Sequence, residues 1–523
     1  MNSPVEQMLN QVYPKGGDRT HLLPPLVWWA VLPPTVVKLM VHAVTAGSYG
    51  YFRDELYFLD CARHLQWGYV DDAPGFVLLF KVALLMGGSL QVVRLLAALA
   101  GVGTVVLAAL FARELGGRGF AQFFAGLCVL AAPVCLGVDS ILCCGSVEPL
   151  FWLGCALLAL RIVRTENSKL WLWFGVVAGL GLQMKYTMGL VLVCFVAGMV
   201  LTEIRREMRR PLFWAGVGVA FLVFLPSLVW QIDNHFPLVT DMRNIARIGK
   251  NVVLTPLQFV WQQIEFLNPL LLPFWLAGLI LLLMRSWTRF LGVFYLLLLV
   301  ALILLHGKNY YLAAAYPMLF AAGAVAVEMV LARWERMWPK VALSCFVGLT
   351  FLLIAPLVLP LLPPERLAAY QAHLGVHPQK QEVGHDSVLE QRLGDQFGWR
   401  ELTNEVAAIY SALPAEERAV TGIYAANYGE AGAINQFGPA LGLPTAICAH
   451  QAHSFWGLPS VEPGTLICLG CDREGLERNF DSVVEVGKHF HPWGMAEENR
   501  PIYLCRGLRT PLRVLWPRIT HWT

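Results

Sequence analysis

The stretch "FWAGVGVAFLVFLPSLVW", residues 213–230, is an apolar run about as long as a membrane-spanning helix needs. A second run, "VALSCFVGLTFLLIAPLVLPLL" (341–362), is longer still and also lacks charged residues. The chain of 523 residues is 57% hydrophobic and only 14% charged, with a mean hydropathy of +0.55. Because soluble domains carry about 25% charged residues, the sequence predicts a polytopic α-helical membrane protein.

Clusters of Lys and Arg between the apolar runs predict the topology. The clusters are Arg113/Arg118, Arg161/Arg164/Lys169, Arg205/Arg206/Arg209/Arg210, Arg285/Arg289 and Arg333/Arg336/Lys340. The positive-inside rule makes all of them cytoplasmic, so the loops between them lie outside. These outer loops are 47–90, 138–146, around 185, 232–264, around 306–309, and everything after about 362. We expect about 11–13 transmembrane helices, with a cytoplasmic N-terminus and an extracytoplasmic C-terminus.

The composition changes after residue 362, which divides the chain into predicted domains. Residues 1–362 form the transmembrane domain, and 363–394, Pro-rich and polar, are predicted to be a linker. In 395–523 helical and strand patterns alternate, which predicts a small extracytoplasmic α/β domain. The run "PGFVLLFKVALLMGG" (74–88) is short and carries Lys81, so we expect an interfacial or re-entrant helix in the first outer loop, 47–90. A short hairpin pair is the alternative.

Carboxylates and other ionisable groups collect in the outer loops. They are Asp54, Glu55, Asp71, Asp72, Asp139, Glu148, Lys185, His306 and Lys308. Ionisable groups at the membrane face are costly, so their convergence on one side predicts a functional site. "YFRDELYFLD" (51–60) reads as the start of an amphipathic helix in the headgroup plane. Within it Asp54 is the candidate general base, because Arg53 is its one nearby cation in sequence.

The cations of the outer loops are candidates for binding an anionic leaving group such as a lipid phosphate. They and their tyrosine neighbours are Lys185, Tyr186, Arg243, Arg247, Lys250, His306, Lys308, Tyr310 and Tyr311. Two alternatives stay open: lysines that only snorkel to the headgroups, and an arginine face that binds anionic lipid. The hard-ligand types Asp54, Asp71, Asp72, Glu148 and His306 leave a divalent metal ion open as well. The sequence identifies no definite cofactor.

The segment "GYFRDELYFLDCARHLQWGYVDDAPG" (50–75) resembles the first extracytoplasmic loop of bacterial family 39 glycosyltransferases. This GT-C class includes protein O-mannosyltransferases, the lipid A aminoarabinose transferase and RgtA/B/C/D-like enzymes. The resemblance continues in "SVEPLFW" (146–152), "GLGLQMKYTMG" (179–189), "LNPLLLPFWLAGL" (267–279) and "GKNYYLAAAYPMLFAAGA" (307–324). It therefore implies a GT-C fold over nearly the whole membrane region.

The same resemblance implies a function. A sugar would move from a polyprenyl-phosphate-linked donor to a glycan, lipid or protein acceptor on the outer face of the bacterial inner membrane. Asp54 would deprotonate or orient the acceptor hydroxyl, and Glu55 matches the second position of the acidic pair. The second acidic motif falls at Asp71 or Asp72, and the sequence does not distinguish the two.

A base on one face of the sugar, opposite the departing phosphate, predicts inversion of the anomeric centre. We also considered a polytopic transporter or lipid flippase, in which charged groups usually lie near the midplane on broken, repeated helices. A catalytically inactive scaffold that works through its outer domain is a further alternative. The expected partners are the lipid-linked donor, the acceptor and membrane lipids, and no nucleic acid.

Overall fold

The computed structural model describes residues 23–334, 336–377, 379–384 and 386–523. The helices of the membrane region are α1 Trp28–Thr45, α2 Arg53–Arg63, α3 Pro74–Leu85, α4 Leu90–Glu114, α5 Gly119–Ala131, α6 Pro133–Val138, α7 Cys144–Thr165, α8 Leu170–Met184, α9 Met188–Val200, α10 Pro211–Asp233, α11 Pro237–Ile248, α12 Pro256–Phe266, α13 Leu272–Met284, α14 Arg289–Leu304, α15 Tyr316–Leu331 and α16 Trp338–Val358. The remaining helices are α17 Pro364–Leu374, α18 Gln391–Gly394, α19 Trp399–Ala412, α20 Ala415–Arg418, α21 Tyr428–Phe437, α22 Arg473–Asn479 and α23 Leu512–Ile519.

Several helices are long and apolar enough to cross a membrane, which supports the multi-pass prediction. Within the described residues five pass this test, namely α4, α7, α10, α16 and the segment Asn309–Leu331 that contains α15. Two bent pairs raise the number to seven if each pair is one span, and shorter apolar helices add to the bundle. Some apolar runs are interrupted by breaks in the helix. Asn268, with φ of +70°, lies at such a break and separates α12 from α13. The count of 11–13 spans therefore stays a prediction.

The two ends of the helical bundle differ, and one of them collects the predicted cytoplasmic loops. Here Arg161 and Arg164 bind the Glu114 carboxylate at 2.5 and 2.9 Å. Arg285 donates to the Leu115 main-chain oxygen at 3.2 Å. We call this region, with Glu114 at its centre, the basic end.

The other end is covered by the C-terminal domain, and we call it the capped end. Helix α21 packs along α2 so closely that a Cβ on Gly432 would lie 2.8 Å from the main chain of Leu56. Asp60 of α2 accepts from Asn435 at 2.6 Å and faces His453 at 3.1 Å. Eight of the eleven residues of α2 are buried, because protein covers the helix on the side of the bundle and on the side of α21. Its placement in the headgroup plane stays a prediction.

The C-terminal domain has an α/β architecture, as predicted. Its strands are β1 Thr421–Ala425, β2 Ala446–Cys448, β3 Thr465–Leu469, β4 Phe480–Lys488 and β5 Pro501–Leu508, in the order β2-β1-β3-β5-β4. The first three strands are parallel, and β5 runs antiparallel to both of its neighbours.

The segment predicted as a linker, 363–394, contains α17 and α18. Leu367, Leu389 and Leu393 form a small buried cluster within it. The segment is thus folded against its surroundings, and its role as a linker stays a prediction.

Candidate functional site

Glu55 fixes the beginning of α2 and is fully buried. One of its carboxylate oxygens accepts from the Phe52 N–H at 2.9 Å, and the other accepts from the Leu142 N–H at 2.9 Å. The Arg94 guanidinium lies 3.7 Å away. With both oxygens occupied inside the protein, Glu55 ties the helix to the outer loop 138–146. A catalytic part for Glu55 stays a prediction.

Arg94 of α4 holds the chain that leads into α2, and the sequence analysis did not single it out. Its guanidinium donates to the main-chain oxygens of Ser48 at 2.8 Å and Gly50 at 2.6 Å, and to the Gln396 side chain at 2.9 Å. One buried cation therefore joins α4, the entry to α2 and the start of the C-terminal domain. The position of α2 is set by buried, charge-assisted hydrogen bonds.

Asp54, the neighbour of Glu55, is half-buried and contacts the C-terminal domain. The hydroxyl of Tyr428 donates to Oδ1 of Asp54 at 2.9 Å. Tyr428 is the first residue of α21, and its ring lies 4.8 Å from that of Tyr57, on α2. The candidate base therefore faces a residue 374 positions away in sequence.

Asp71 and Asp72 lie between α2 and α3, and each accepts a hydrogen bond from a different element. The Tyr57 hydroxyl donates to Asp71 at 2.8 Å, and the Cys144 thiol donates to Asp72 at 3.1 Å. Burial raises the pKa of Asp72 to about 7, although Lys185 opposes the rise. Burial, and then the Asp72 charge, hold the pKa of Asp71 well above its ordinary value. One of these two acids therefore titrates near neutral pH.

Lys185 is the cation nearest to this acidic group, and it sits at the break between α8 and α9. Its ammonium lies 3.6 Å from the Glu148 carboxylate and 4.3 Å from the centre of the Tyr311 ring. Glu148 also accepts from the Thr187 hydroxyl at 2.6 Å. The charges of Asp54, Lys185 and Glu148 all act on the pKa of Asp72. Asp54 and Asp72 of the predicted outer loop 47–90 thus meet Glu148 and Lys185, from two other parts of the chain, at the capped end.

Other predicted residues lie at the edge of this group or outside it. The Tyr186 hydroxyl accepts from Gln231 at 3.5 Å, and Lys308 pairs with Glu382 at 2.5 Å. Tyr310 lies in the same 3₁₀ turn as Tyr311, and its ring is 5.0 Å from that of Tyr311.

The helix α11 carries the predicted arginine face. Arg243 and Arg247 are exposed, whereas Lys250, just after the helix, donates to the main-chain oxygen of Thr523 at 3.0 Å. His306, with φ of +51°, is exposed in the turn after α14. No contact in the described residues brings Arg243, Arg247 or His306 to Asp54.

Asp139 belongs to a separate buried ion pair. Lys38 of α1 lies 2.6 Å from its carboxylate and also donates to the Cys135 main-chain oxygen at 2.9 Å. Gly101 makes room for the pair, since a Cβ there would lie 2.4 Å from Asp139. Asp139 therefore ties α1 to the turn after α6, and Lys38 was missed in the sequence.

The five hard-ligand residues do not assemble into a metal site. Among the residues that the structure describes, no three His, Cys, Asp or Glu side chains come close enough together to hold a metal ion. Asp54 and Asp71 instead accept from tyrosines, and Asp72 accepts from a thiol.

A polar cavity of about 250 Å³ adjoins the site, between α2 and the C-terminal domain. Arg53 and Tyr428 form the wall on the side of Asp54. The remaining lining is polar or charged for the most part, and includes Lys250, Asn427, Glu430, His450, Glu498 and Arg500. Tyr428 therefore stands between the candidate base and a cavity rich in hydrogen-bonding groups.

Comparisons with known proteins agree with this architecture. Residues 71–230 match the family model described as dolichyl-phosphate-mannose-protein mannosyltransferase. No curated protein matches the chain by sequence. The matched segment contains Asp71, Asp72, Glu148 and Lys185, and it begins after Asp54.

The structure is similar to that of ArnT from Cupriavidus metallidurans. The apo form gives a TM-score of 0.59 at 15% identity, covering 91% of this chain and 98% of ArnT. The form bound to undecaprenyl phosphate gives 0.57 at 14% identity with the same coverage. The oligosaccharyltransferase AglB from Archaeoglobus fulgidus, in complex with an inhibitory peptide and a dolichol-phosphate, is more distant, with a TM-score of 0.48 at 11% identity over 80% of this chain and 64% of AglB.

The chain thus has the GT-C fold, which confirms the fold class that the sequence predicts.

Proposed function

We propose that this protein transfers a sugar from a polyprenyl-phosphate-linked donor to an acceptor hydroxyl at the outer face of a bacterial inner membrane. The observation that carries the proposal is the meeting of Asp54, Asp72, Glu148 and Lys185 at one end of a GT-C fold. The match of 71–230 to a sugar-transferase family and the likeness to ArnT, solved with undecaprenyl phosphate, support the same class of reaction.

Asp54 would act on the acceptor. It is half-buried at the N-terminus of α2, next to a polar cavity through Tyr428. In the reaction its carboxylate takes the proton of the acceptor hydroxyl as that oxygen forms a bond to C1 of the donor sugar. The C1–O bond to phosphate breaks, and the lipid phosphate leaves with the electron pair. Because attack and departure occur on opposite faces, a single displacement inverts the anomeric centre.

Lys185 would act on the donor phosphate. Negative charge grows on the phosphate as it leaves, so a nearby ammonium stabilises the transition state more than the ground state. The Tyr311 ring centre lies 4.3 Å from the Lys185 ammonium, the Tyr310 ring packs on that of Tyr311, and Tyr186 follows Lys185 in the chain. The hydroxyls of these three tyrosines would be further donors to the same phosphate. Lys308 and Lys250 are engaged elsewhere, and exposed Arg243 and Arg247 suit the headgroup of the donor or of anionic lipid.

The proposed orientation of the protein in the membrane follows from the charges of its loops. The charges of the basic end match the cytoplasmic side of the positive-inside rule, so the capped end would face the periplasm. The acceptor class covers glycans, lipids and protein hydroxyls.

The test is mass spectrometry of a host strain that lacks the gene. We expect an undecaprenyl-phosphate-linked sugar to accumulate and one surface glycan, lipid or protein modification to disappear. Re-expression of the wild-type chain should reverse both changes. An unchanged set of surface sugars and lipid-linked donors would contradict the proposal.

An assay with purified protein in vesicles distinguishes the proposed transferase from a transporter or lipid flippase. A transferase forms a new glycosidic bond and releases free undecaprenyl phosphate, whereas a flippase moves the lipid-linked sugar intact.

A further inference from the structure

The side chain of Tyr428 joins the C-terminal domain to the candidate base. Its hydroxyl donates to Asp54 at 2.9 Å, across the boundary between the two domains. This contact uses Oδ1 of the Asp54 carboxylate. Burial holds the pKa of Tyr428 well above its ordinary value, so the hydroxyl stays a donor across the working pH range.

Several neighbours fix the position of the Tyr428 ring. Tyr57 and His450 lie 4.8 and 5.0 Å from it, and the Arg53 guanidinium lies 5.7 Å from its centre. The Tyr428 N–H also donates to Nδ1 of His450 at 3.4 Å. A side chain packed on three sides keeps one rotamer, which is what a group that orients another group needs.

The helix that carries Tyr428 is itself locked onto α2. A Cβ on Gly429 would lie 2.6 Å from the side chain of Arg53, so this close approach depends on glycine. About two turns further along α21, Asn435 and Gln436 bind the side chains of Asp60 and Arg63 at 2.6 and 2.5 Å. The distance between α21 and α2 is therefore set along the length of α2, and the hydroxyl of Tyr428 is brought to Asp54 by the docking of a whole domain.

We propose that the C-terminal domain completes the active site, with Tyr428 as a positioning residue that holds the Asp54 carboxylate for attack on the donor. The inference rests on the proposed function, because it takes Asp54 as the base. Misplacement of a reacting group by about 1 Å can cost about 100-fold in rate. Loss of the hydroxyl should therefore lower the rate of transfer and leave binding of the donor lipid intact.

The experiment compares Tyr428→Phe with Tyr410→Phe, a matched control in the same domain. Tyr428→Phe keeps the ring contacts and removes the hydroxyl. The hydroxyl of Tyr410 donates to the Arg418 main-chain oxygen, so this hydrogen bond lies entirely within the C-terminal domain. Each full-length variant is purified into vesicles of host membrane lipids and glycans, with the undecaprenyl-phosphate-linked sugar that accumulates in the deletion strain as substrate.

We expect kcat of Tyr428→Phe to fall about 10- to 100-fold, with KM for the lipid-linked sugar within twofold of wild type. Tyr410→Phe should keep the wild-type kcat. In an Asp54→Asn background the added Tyr428→Phe change should have no further effect, since the two residues act as one unit. Thermal unfolding of each variant shows whether the fold is kept.

The outcomes separate the two proposals. If Asp54→Asn is inactive and folded Tyr428→Phe keeps the wild-type kcat, the positioning role is overturned and the proposed base stands. If Tyr428→Phe raises KM and leaves kcat unchanged, the role is again overturned. If Asp54→Asn is active, the proposed base fails, and the role of Tyr428 fails with it.

Discussion

The basic end and the capped end of the bundle both carry charged residues, yet their charges are used differently. At the basic end two arginines share one carboxylate, Glu114, at 2.5 and 2.9 Å. At the capped end, by contrast, Asp54 and Asp72 accept from a tyrosine and a thiol, and Lys185 lies 3.6 Å from Glu148. The close pairs of the basic end hold helices together, whereas the looser contacts around Asp54, Asp72 and Lys185 leave these carboxylates and this ammonium able to exchange partners.

Burial also shifts the pKa values of acids at the capped end. Burial raises the pKa of Asp72 to about 7 and that of Glu430 to about 8, so acids at the capped end titrate near neutral pH. Acids with pKa values near the working pH are common at functional sites, where they exchange protons readily. Structural ion pairs shift pKa values too, so the comparison needs mutations at both ends.

Among the changes that are paired with a matched change at the other end, the largest effect should come from Lys185→Gln at the capped end. We expect the transfer rate to fall about 100-fold, because one charge that stabilises the departing phosphate is lost. The matched change at the basic end is Arg161→Gln, which removes a cation bound to Glu114. Initial rates in the same vesicles should show wild-type transfer per folded molecule for Arg161→Gln. Equal losses at both ends would remove the distinction between them.

A smaller effect, on stability alone, should follow from Glu114→Gln at the basic end. The change leaves Arg161 and Arg164 without their shared charge, and both side chains are part-exposed, which limits the cost to about 1–2 kcal/mol. Thermal unfolding in detergent should show a lower Tm, while transfer by the folded fraction stays at the wild-type level. A loss of transfer without a loss of Tm would place function at the basic end as well.

The smallest effect should be a change in how stability depends on pH, produced by Glu430→Gln in the C-terminal domain. Burial, and then the Glu498 carboxylate, raise the pKa of Glu430 to about 8, against about 4.3 for an unperturbed Glu. Between these values the folded protein binds a proton that the unfolded chain does not. The free energy of unfolding therefore falls as the pH rises from about 4 to about 8.

Glutamine removes this titration and can still form the capping box that Glu430 makes with Asn427. We expect the Tm of Glu430→Gln to exceed that of wild type by a few degrees at pH 8, with the difference shrinking toward pH 5. The exposed Glu416→Gln serves as the control. A pH dependence of Tm equal to that of wild type would show that Glu430 does not titrate in this range.

The sequence predicts much of the capped end because the signals there are local. The run of acids after the first apolar helix identifies Asp54, and the lysine between two apolar runs identifies Lys185. The positive-inside rule then places both on one side of the membrane. The runs "AVTGIYAANY", "GTLICLG" and "RPIYLCRG" predict strands where β1, β3 and β5 lie, and "WRELTNEVAAIYSAL" predicts the helix α19.

The missed features depend on contacts that no local pattern contains. Tyr428 meets Asp54 across 374 residues, and no local pattern links the two. Lys38 sits inside an apolar run, and its partner Asp139 is about 100 residues away. The strand β2 has three residues, too few for an alternating pattern. Glu55 and Asp54 are adjacent in sequence, but Glu55 is fully buried and Asp54 is half-exposed. Only tertiary packing produces this difference.

The most direct test of the proposed active site at the capped end is the rate of sugar transfer by purified Asp54→Asn. Asparagine keeps the shape of the side chain and can still accept from Tyr428, but it cannot take a proton from the acceptor. We predict a rate at least about 1,000-fold below that of wild type, with an unchanged Tm. A rate within twofold of wild type, from a protein that is equally folded, would contradict the assignment.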